Sequence, residues 1–243
     1  MSGPGALVLH GFTGTPGSVS GVTTALSAAG FVVEAPLLPG HGETMEELSD
    51  TGWSDWSGAA DRAYQELTPR CARIVVVGLS LGGSLTCWLA TRYRAIAGIV
   101  CINPMIEPVA DSFVDMLEQL IEAGFASAPA FGSDIARPDV VEDNLGGAPF
   151  APLLSLFGGV AELAPRLGDI SCPLLLFTSA KDHVVPPSSS AYLAERVSGP
   201  VERVVLERSY HVATMDWDAP DIEARTVAFA RRATAMPTPP PPV

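Results

Sequence analysis

The chain has 243 residues, 47% of them hydrophobic and 17% charged, with a formal net charge of -13. That length suits one large α/β domain with a sizeable core. So acidic a surface repels phosphate backbones and anionic head groups, which argues against nucleic acid and against electrostatic docking on acidic membranes. Met1 to Gly5 carries no basic leader-like stretch and no run is long enough to span a bilayer, so a cytoplasmic protein without stable membrane insertion is expected. Cys71, Cys87, Cys101 and Cys172 lie far apart, with no Cys-x-x-Cys and no histidine at ligand spacing. They read as small buried hydrophobes in a reducing compartment. No metal and no organic cofactor is expected, and a homodimer is left open.

Ala6 to Leu9 is a short apolar strand running into His10-Gly11-Phe12-Thr13-Gly14. Two glycines around Phe12 allow the loop amides to turn inward, as an oxyanion hole requires, although a plain turn has the same composition. Val19 to Ala29 has helical spacing and stops at Gly30, and Phe31 to Pro36 is the next strand. Pro39-Gly40-His41-Gly42 punctuates a loop in which His41 reads as a turn residue. Thr51 to Leu67 is predicted helical, with Trp53, Trp56, Ala60 and Tyr64 as packing residues.

Ile74-Val75-Val76-Val77 is β-branched throughout and reads as a strand buried on both faces. It ends in Gly78-Leu79-Ser80-Leu81-Gly82, and Leu81 to Ala90 continues as a helix. A strand that turns directly into a helix bends sharply at Ser80, lifting its hydroxyl from the sheet edge beside the helix N-terminus. The three fixed residues alone are weak, because chance supplies them often; the strand before and the helix after carry the argument. Ile96 to Ile102 is another strand, closed by Asn103-Pro104, so Phe12, Ser80 and Asn103 all fall at C-terminal strand ends, where such sheets bind ligands. Asn103 is therefore placed among the substrate-binding residues.

Residues 105–169 break the rhythm, with no convincing strand and one clear amphipathic helix, Ser112 to Ala123, carrying Phe113, Met116, Leu117, Leu120 and Ile121. Further apolar residues follow at Phe125, Phe131, Phe150, Leu153, Leu154, Leu156 and Phe157. A long excursion between two strands reads as a lid over an apolar acyl site, or else as a structural insertion. Leu174 to Phe177 resumes the sheet, Ser189 to Val197 is helical, Val201 to Leu206 is the last strand and Ile222 to Thr234 the closing helix. Residues 1–104 and 170–235 thus form the core, 105–169 a helical cap inserted between two strands, and 236–243 a disordered proline-rich tail.

A serine hydroxyl needs a base within hydrogen-bond reach, itself oriented by a buried acid. Asp182 and His211 each follow a predicted strand on the sheet edge that carries Ser80, in the order serine, acid, histidine. The expected roles are Ser80 as nucleophile, His211 as base, Asp182 as acid, and the N–H groups of Phe12 and Leu81 as oxyanion donors. His183 is the rival base and Glu107 the fallback acid. Asp216 and Asp218 read as solvated loop charges.

Together HGFTG at 10–14, PGHG at 39–42, GLSLGG at 78–83, DHVVPP at 182–187 and SYHVATMD at 209–216 resemble the bacterial monoacylglycerol lipases and small carboxylesterases. The resemblance spans nearly the whole chain before the proline tail. It implies an α/β-hydrolase fold, a mostly parallel doubly wound sheet with a helical cap, and the triad already derived. Pro138-Asp139-Val140-Val141-Glu142 matches a cap segment of that family, which implies Glu142 as a contact for glycerol hydroxyls. Asp143 to Gly147 departs from the family pattern, and few residues precede the HGFTG strand. A monoacylglycerol with an apolar acyl chain is the expected substrate, with a broad carboxylesterase or thioesterase as the alternative. A binder with a vestigial triad and a carbon–carbon bond hydrolase are the further readings.

Overall fold

Six parallel strands form one sheet in the order β2-β1-β3-β4-β7-β8, in a computed structural model that describes residues 3–42, 44–129 and 133–235. Phe131 and the tail 236–243 lie outside the described residues. The strands are β1 (Gly5–Leu9), β2 (Val32–Glu34), β3 (Ile74–Leu79), β4 (Gly98–Ile102), β7 (Leu174–Ser179) and β8 (Val201–Leu206). Helices α1 (Ser20–Ala28), α3 (Trp53–Leu67), α4 (Leu81–Arg92), α7 (Ser188–Arg196) and α8 (Ala219–Ala235) make the crossovers and the closing element. A short α2 (Met45–Ser49), opened by a Thr44–Glu47 capping box, was not anticipated in the sequence.

Alternation along each central strand sends side chains to two separate cores. Leu7, Leu9, Ile74 and Val76 face a core shared with α3 and α4, whereas Ala6, Val8, Val75 and Val77 face one shared with α1 and α8. The chain adds β2 on one side of β1 and β3 on the other, so the strand order reverses between β1 and β3. A crevice opens at such a switch point beyond the C-terminal strand ends. Phe12 and Ser80 lie in the two loops that flank it.

The insertion contains more structure than its composition suggests. After α5 (Asp111–Glu122), strands β5 (Ser127–Pro129) and β6 (Gly147–Pro149) pair antiparallel, and α6 (Phe150–Leu163) follows. The expectation of no strand and a single helix is corrected on both counts. Helix α6 is hard to see in the sequence because it opens beside Pro149 and contains Gly158 and Gly159. Gly159 is required where it stands, since a Cβ there would collide with the Trp53 ring of α3. The Ser155 hydroxyl also accepts the Trp53 N–H at 3.0 Å, fastening α6 to the core. Helix α5 behaves differently. Of its apolar residues only Leu117 is buried, while Phe113, Met116 and Ile121 are exposed. Among the described residues no helix is long and apolar enough to cross a membrane.

Candidate active site

Strand β3 passes straight into α4 at Ser80, whose φ of 54° and ψ of -116° are strained for a residue bearing a side chain. The close approach that forces this bend depends on glycine. A Cβ on Gly78 would strike the Gly82 carbonyl, and one on Gly82 would strike the Leu9 carbonyl of β1. Leu81 is the first residue of α4, where an N–H has no intrahelical acceptor and the helix dipole favours negative charge. Gly11 lies against Ser80, with a Cβ built there 3.5 Å from the serine Cβ. The Phe12 loop and the serine are therefore neighbours across the switch point.

The His211 loop is tied to the same rim. Ser80 N–H donates to Ile102 O at 3.0 Å, and the next residue, Asn103, donates its side-chain amide to His211 O at 2.8 Å. Asn103 also donates to Ser179 Oγ at 2.9 Å and accepts the Ser179 N–H at 2.7 Å. Its carboxamide, expected at the substrate, is thus engaged with the scaffold at both ends. It works as a bracket joining the ends of β4 and β7 to the His211 loop.

His211 Nδ1 lies 2.8 Å from Asp182 Oδ2, with the histidine side chain 9% exposed and the aspartate 1%. A carboxylate only accepts, so the Nδ1 position carries the proton and Nε2 is left with a lone pair. Asp182 Oδ1 in turn accepts the N–H groups of Val184 and Val185 at 2.9 and 2.8 Å. The rivals are accounted for elsewhere. His183 Nδ1 pairs with Asp134 Oδ1 at 2.8 Å on an exposed side chain, and Glu107 accepts the Ser188 hydroxyl at 2.6 Å.

The other two histidines are structural. His10 Nδ1 donates to Gly11 O at 2.9 Å while its Nε2 accepts the Leu38 N–H at 3.0 Å, so the ring is locked neutral. Burial, with a smaller contribution from His41, pulls its pKa down to about 3. His41 is buried beside Phe12 and Trp56, and desolvation lowers its pKa too.

Two aspartates expected to be solvated are buried instead. Asp216 accepts the N–H groups of Ala136, Arg137, Tyr210 and Trp217 at 2.6 to 3.1 Å. Asp218 accepts from Ser209 Oγ at 2.9 Å and from the Arg208 N–H at 3.1 Å and Nε at 2.8 Å. Burial opposes ionisation of Asp218, but these donors outweigh it and hold its carboxyl below the usual range. The reason for the correction is that the donors to Asp216 are all backbone groups, which carry no sequence signal, and those to Asp218 are brought to it by the fold of the 208–218 loop. Asp134 was missed for the same reason: its Oδ2 accepts the N–H of His183 at 3.1 Å and of His211 at 3.0 Å.

Glu142 reaches the Phe12 loop from the insertion. Its Oε1 would lie 2.9 Å from a Cβ on Gly14, and Asn144 Nδ2 donates to Oε2 at 3.4 Å. Desolvation raises its pKa, opposed by the Asn144 bond and by the neighbouring His211 side chain. Leu145 N–H donates to Thr13 O at 3.2 Å, closing the insertion onto the same loop. Among the described residues no group of three or more His, Cys, Asp or Glu is arranged to hold a metal.

Residues 6–225 match the alpha/beta hydrolase family. The chain is 38% identical over 237 residues to a thermostable monoacylglycerol lipase of Bacillus sp. (strain H-257), covering 94% of this chain and 91% of that protein. It is 27% identical over 215 residues to a carboxylesterase of Bacillus subtilis (strain 168), covering 86% and 85%. A solved structure described with the metagenome-derived lipolytic enzymes LipS and LipT superposes with a TM-score of 0.90 at 34% identity, covering 95% of this chain and 94% of that one. Sheet order, the strained serine turn and these matches agree: the chain belongs to the alpha/beta hydrolase family, beside the bacterial monoacylglycerol lipases and small carboxylesterases.

Proposed function

We propose that this carboxylic ester hydrolase cleaves monoacylglycerols to a fatty acid and glycerol, with Ser80, His211 and Asp182 as its catalytic triad. The buried 2.8 Å contact between Asp182 and His211 carries the reading, because it leaves His211 Nε2 as the proton acceptor on the rim that holds Ser80. His211 takes the Ser80 proton as Oγ attacks the ester carbonyl carbon. The resulting oxyanion is held by the N–H groups of Phe12 and Leu81. Collapse breaks the bond to glycerol, whose oxygen receives the proton from His211. Water then attacks the acyl-enzyme by the same route, and Ser80 leaves with its proton restored.

Residues 105–169 act as the cap in this reading, over a core of 1–104 and 170–235. Half-buried Phe12, Met105, Leu145, Leu153 and Leu154 supply apolar surface for the acyl chain. Glu142, lying over Gly14, is suited to accept hydrogen bonds from glycerol hydroxyls. The protein is assigned to the cytoplasm, which fits four free thiols, three of them buried.

Turnover on a chain-length series of monoacylglycerols against matched methyl esters tests the assignment. Glu142→Ala is expected to lower kcat/KM about tenfold on the glycerides, the value of one charged hydrogen bond, with methyl esters nearly unaffected. Ready cleavage of short aryl esters with no turnover of any monoacylglycerol would replace it by a broad carboxylesterase or thioesterase.

A further inference from the structure

We infer that Asp134 is a positioning residue for the proposed catalysis: one carboxylate from the insertion holds the acid loop and the base loop in register. Its Oδ2 accepts the backbone N–H of His183 at 3.1 Å and that of His211 at 3.0 Å, residues 49 and 77 positions away. These two N–H groups belong to the residue that follows Asp182 and to the base itself. Oδ1 pairs with His183 Nδ1 at 2.8 Å, and the His183 ring meets the Tyr210 ring edge-on, with centroids 4.6 Å apart. The Asp134 carbonyl accepts the Val212 N–H at 3.1 Å as well. A single residue therefore supports the His211 loop from both its carboxylate and its main chain.

Asp182 and His211 reach each other only through side chains, and loops that pack independently would let their 2.8 Å contact drift. A shared acceptor removes that freedom, since moving either loop breaks a charge-assisted hydrogen bond. The second fastening is Asp216, which accepts the Ala136 and Arg137 N–H groups and the Tyr210 N–H. The stretch 134–137 is thereby part of the acid–base frame although it lies within the insertion.

The inference rests on the triad proposed above, so ester turnover by the unmodified protein and its abolition in Ser80→Ala are measured first. Failure there removes both readings. With turnover established, Asp134→Ala is expected to lower kcat per titrated active site about 10- to 100-fold, with KM within about twofold. Asp134→Asn should stay within about threefold of the unmodified rate, because an amide oxygen still accepts both backbone N–H groups and the amide nitrogen can donate to His183. The downfield proton shared by His211 and Asp182 should broaden in the alanine variant and persist in the asparagine one. A purely structural role predicts fewer titratable sites, each turning over normally, and that outcome overturns the inference. A loss in Asp134→Asn as large as in Asp134→Ala overturns it too. If the alanine variant does not fold, Asp134→Glu replaces it, with the same loss expected because a longer arm displaces both oxygens.

Discussion

Two imidazole–carboxylate pairs stand side by side at the rim of the sheet, each with 2.8 Å between Nδ1 and oxygen. They differ in surroundings. The His211 and Asp182 side chains retain 9% and 1% exposure, whereas those of His183 and Asp134 retain 59% and 15%. Water and salt screen the outer pair, so its ring can leave its partner at little cost. The inner pair is shielded, and its aspartate is further fixed by two backbone N–H groups. Equal distances therefore signify different things: the inner contact fixes the His211 ring, whereas the outer one adds little to the backbone N–H bonds by which Asp134 fastens the two loops.

Removing the inner imidazole is the strongest way to break this comparison. His211→Ala is expected to reduce kcat by about 10⁴-fold or more, and Asp182→Asn by about 10³- to 10⁴-fold by favouring the wrong tautomer. Steady-state rates with active-site titration would check both. Next in size is an effect on stability. His10 is held neutral with its pKa near 3, so the folded state refuses a proton that the unfolded chain accepts below about 6.5. Its contribution is complete above that value and is lost as the pH falls toward about 3, at up to about 1.4 kcal/mol per pH unit. Denaturant midpoints from pH 7 to 4 should show this slope, and His10→Gln, which can keep both hydrogen bonds, should flatten it.

A smaller effect sharpens the contrast at Glu142. Its carboxyl has a raised pKa, so ionisation works against the fold as the pH rises through the carboxylate range. Glu142→Gln should therefore raise Tm slightly at pH 7, by about 2–4 °C for each kcal/mol recovered, and leave it unchanged near pH 4. An equal gain at both values would mean that packing rather than charge is responsible. Smallest of all is the outer pair's own imidazole. His183→Ala keeps both backbone bonds to Asp134, and kcat should fall no more than about threefold; a loss approaching that of His211→Ala would erase the distinction between the pairs.

The insertion offers a second contrast, between its two helices. Helix α5 shows a clear helical period, yet leaves Phe113, Met116 and Ile121 exposed. Helix α6, interrupted by Gly158 and Gly159, buries Phe150, Leu156, Phe157, Val160 and Leu163. Periodicity marks a face that could be buried, but burial depends on a partner of matching shape. For α6 that partner is Trp53, which needs the hydrogen atom at Gly159 in place of a methyl group.

How far the site was legible follows the same logic. Ser80, Asp182 and His211 stood out because each follows a strand, and strands are written in local runs such as Ile74 to Val77. Asp134 and Asp216 did not, because what ties them to the site is backbone N–H groups many residues away, those of His183 and His211 for Asp134 and of Ala136 and Arg137 for Asp216, and every residue but proline offers one. Asn103 was legible in place, just past β4, whereas the engagement of its amide with Ser179 and His211 was not.

By itself the sequence determined the order of the six strands of the main sheet, the two-sided burial of the central strands and the glycine spacing that bends the chain at Ser80, since each is a local pattern read over a few residues. Only the tertiary structure decided which carboxylates are buried, which imidazole is shielded from water and which helix of the insertion is covered. Those outcomes depend on groups brought together from distant parts of the chain, where packing and backbone hydrogen bonds act without a local signature.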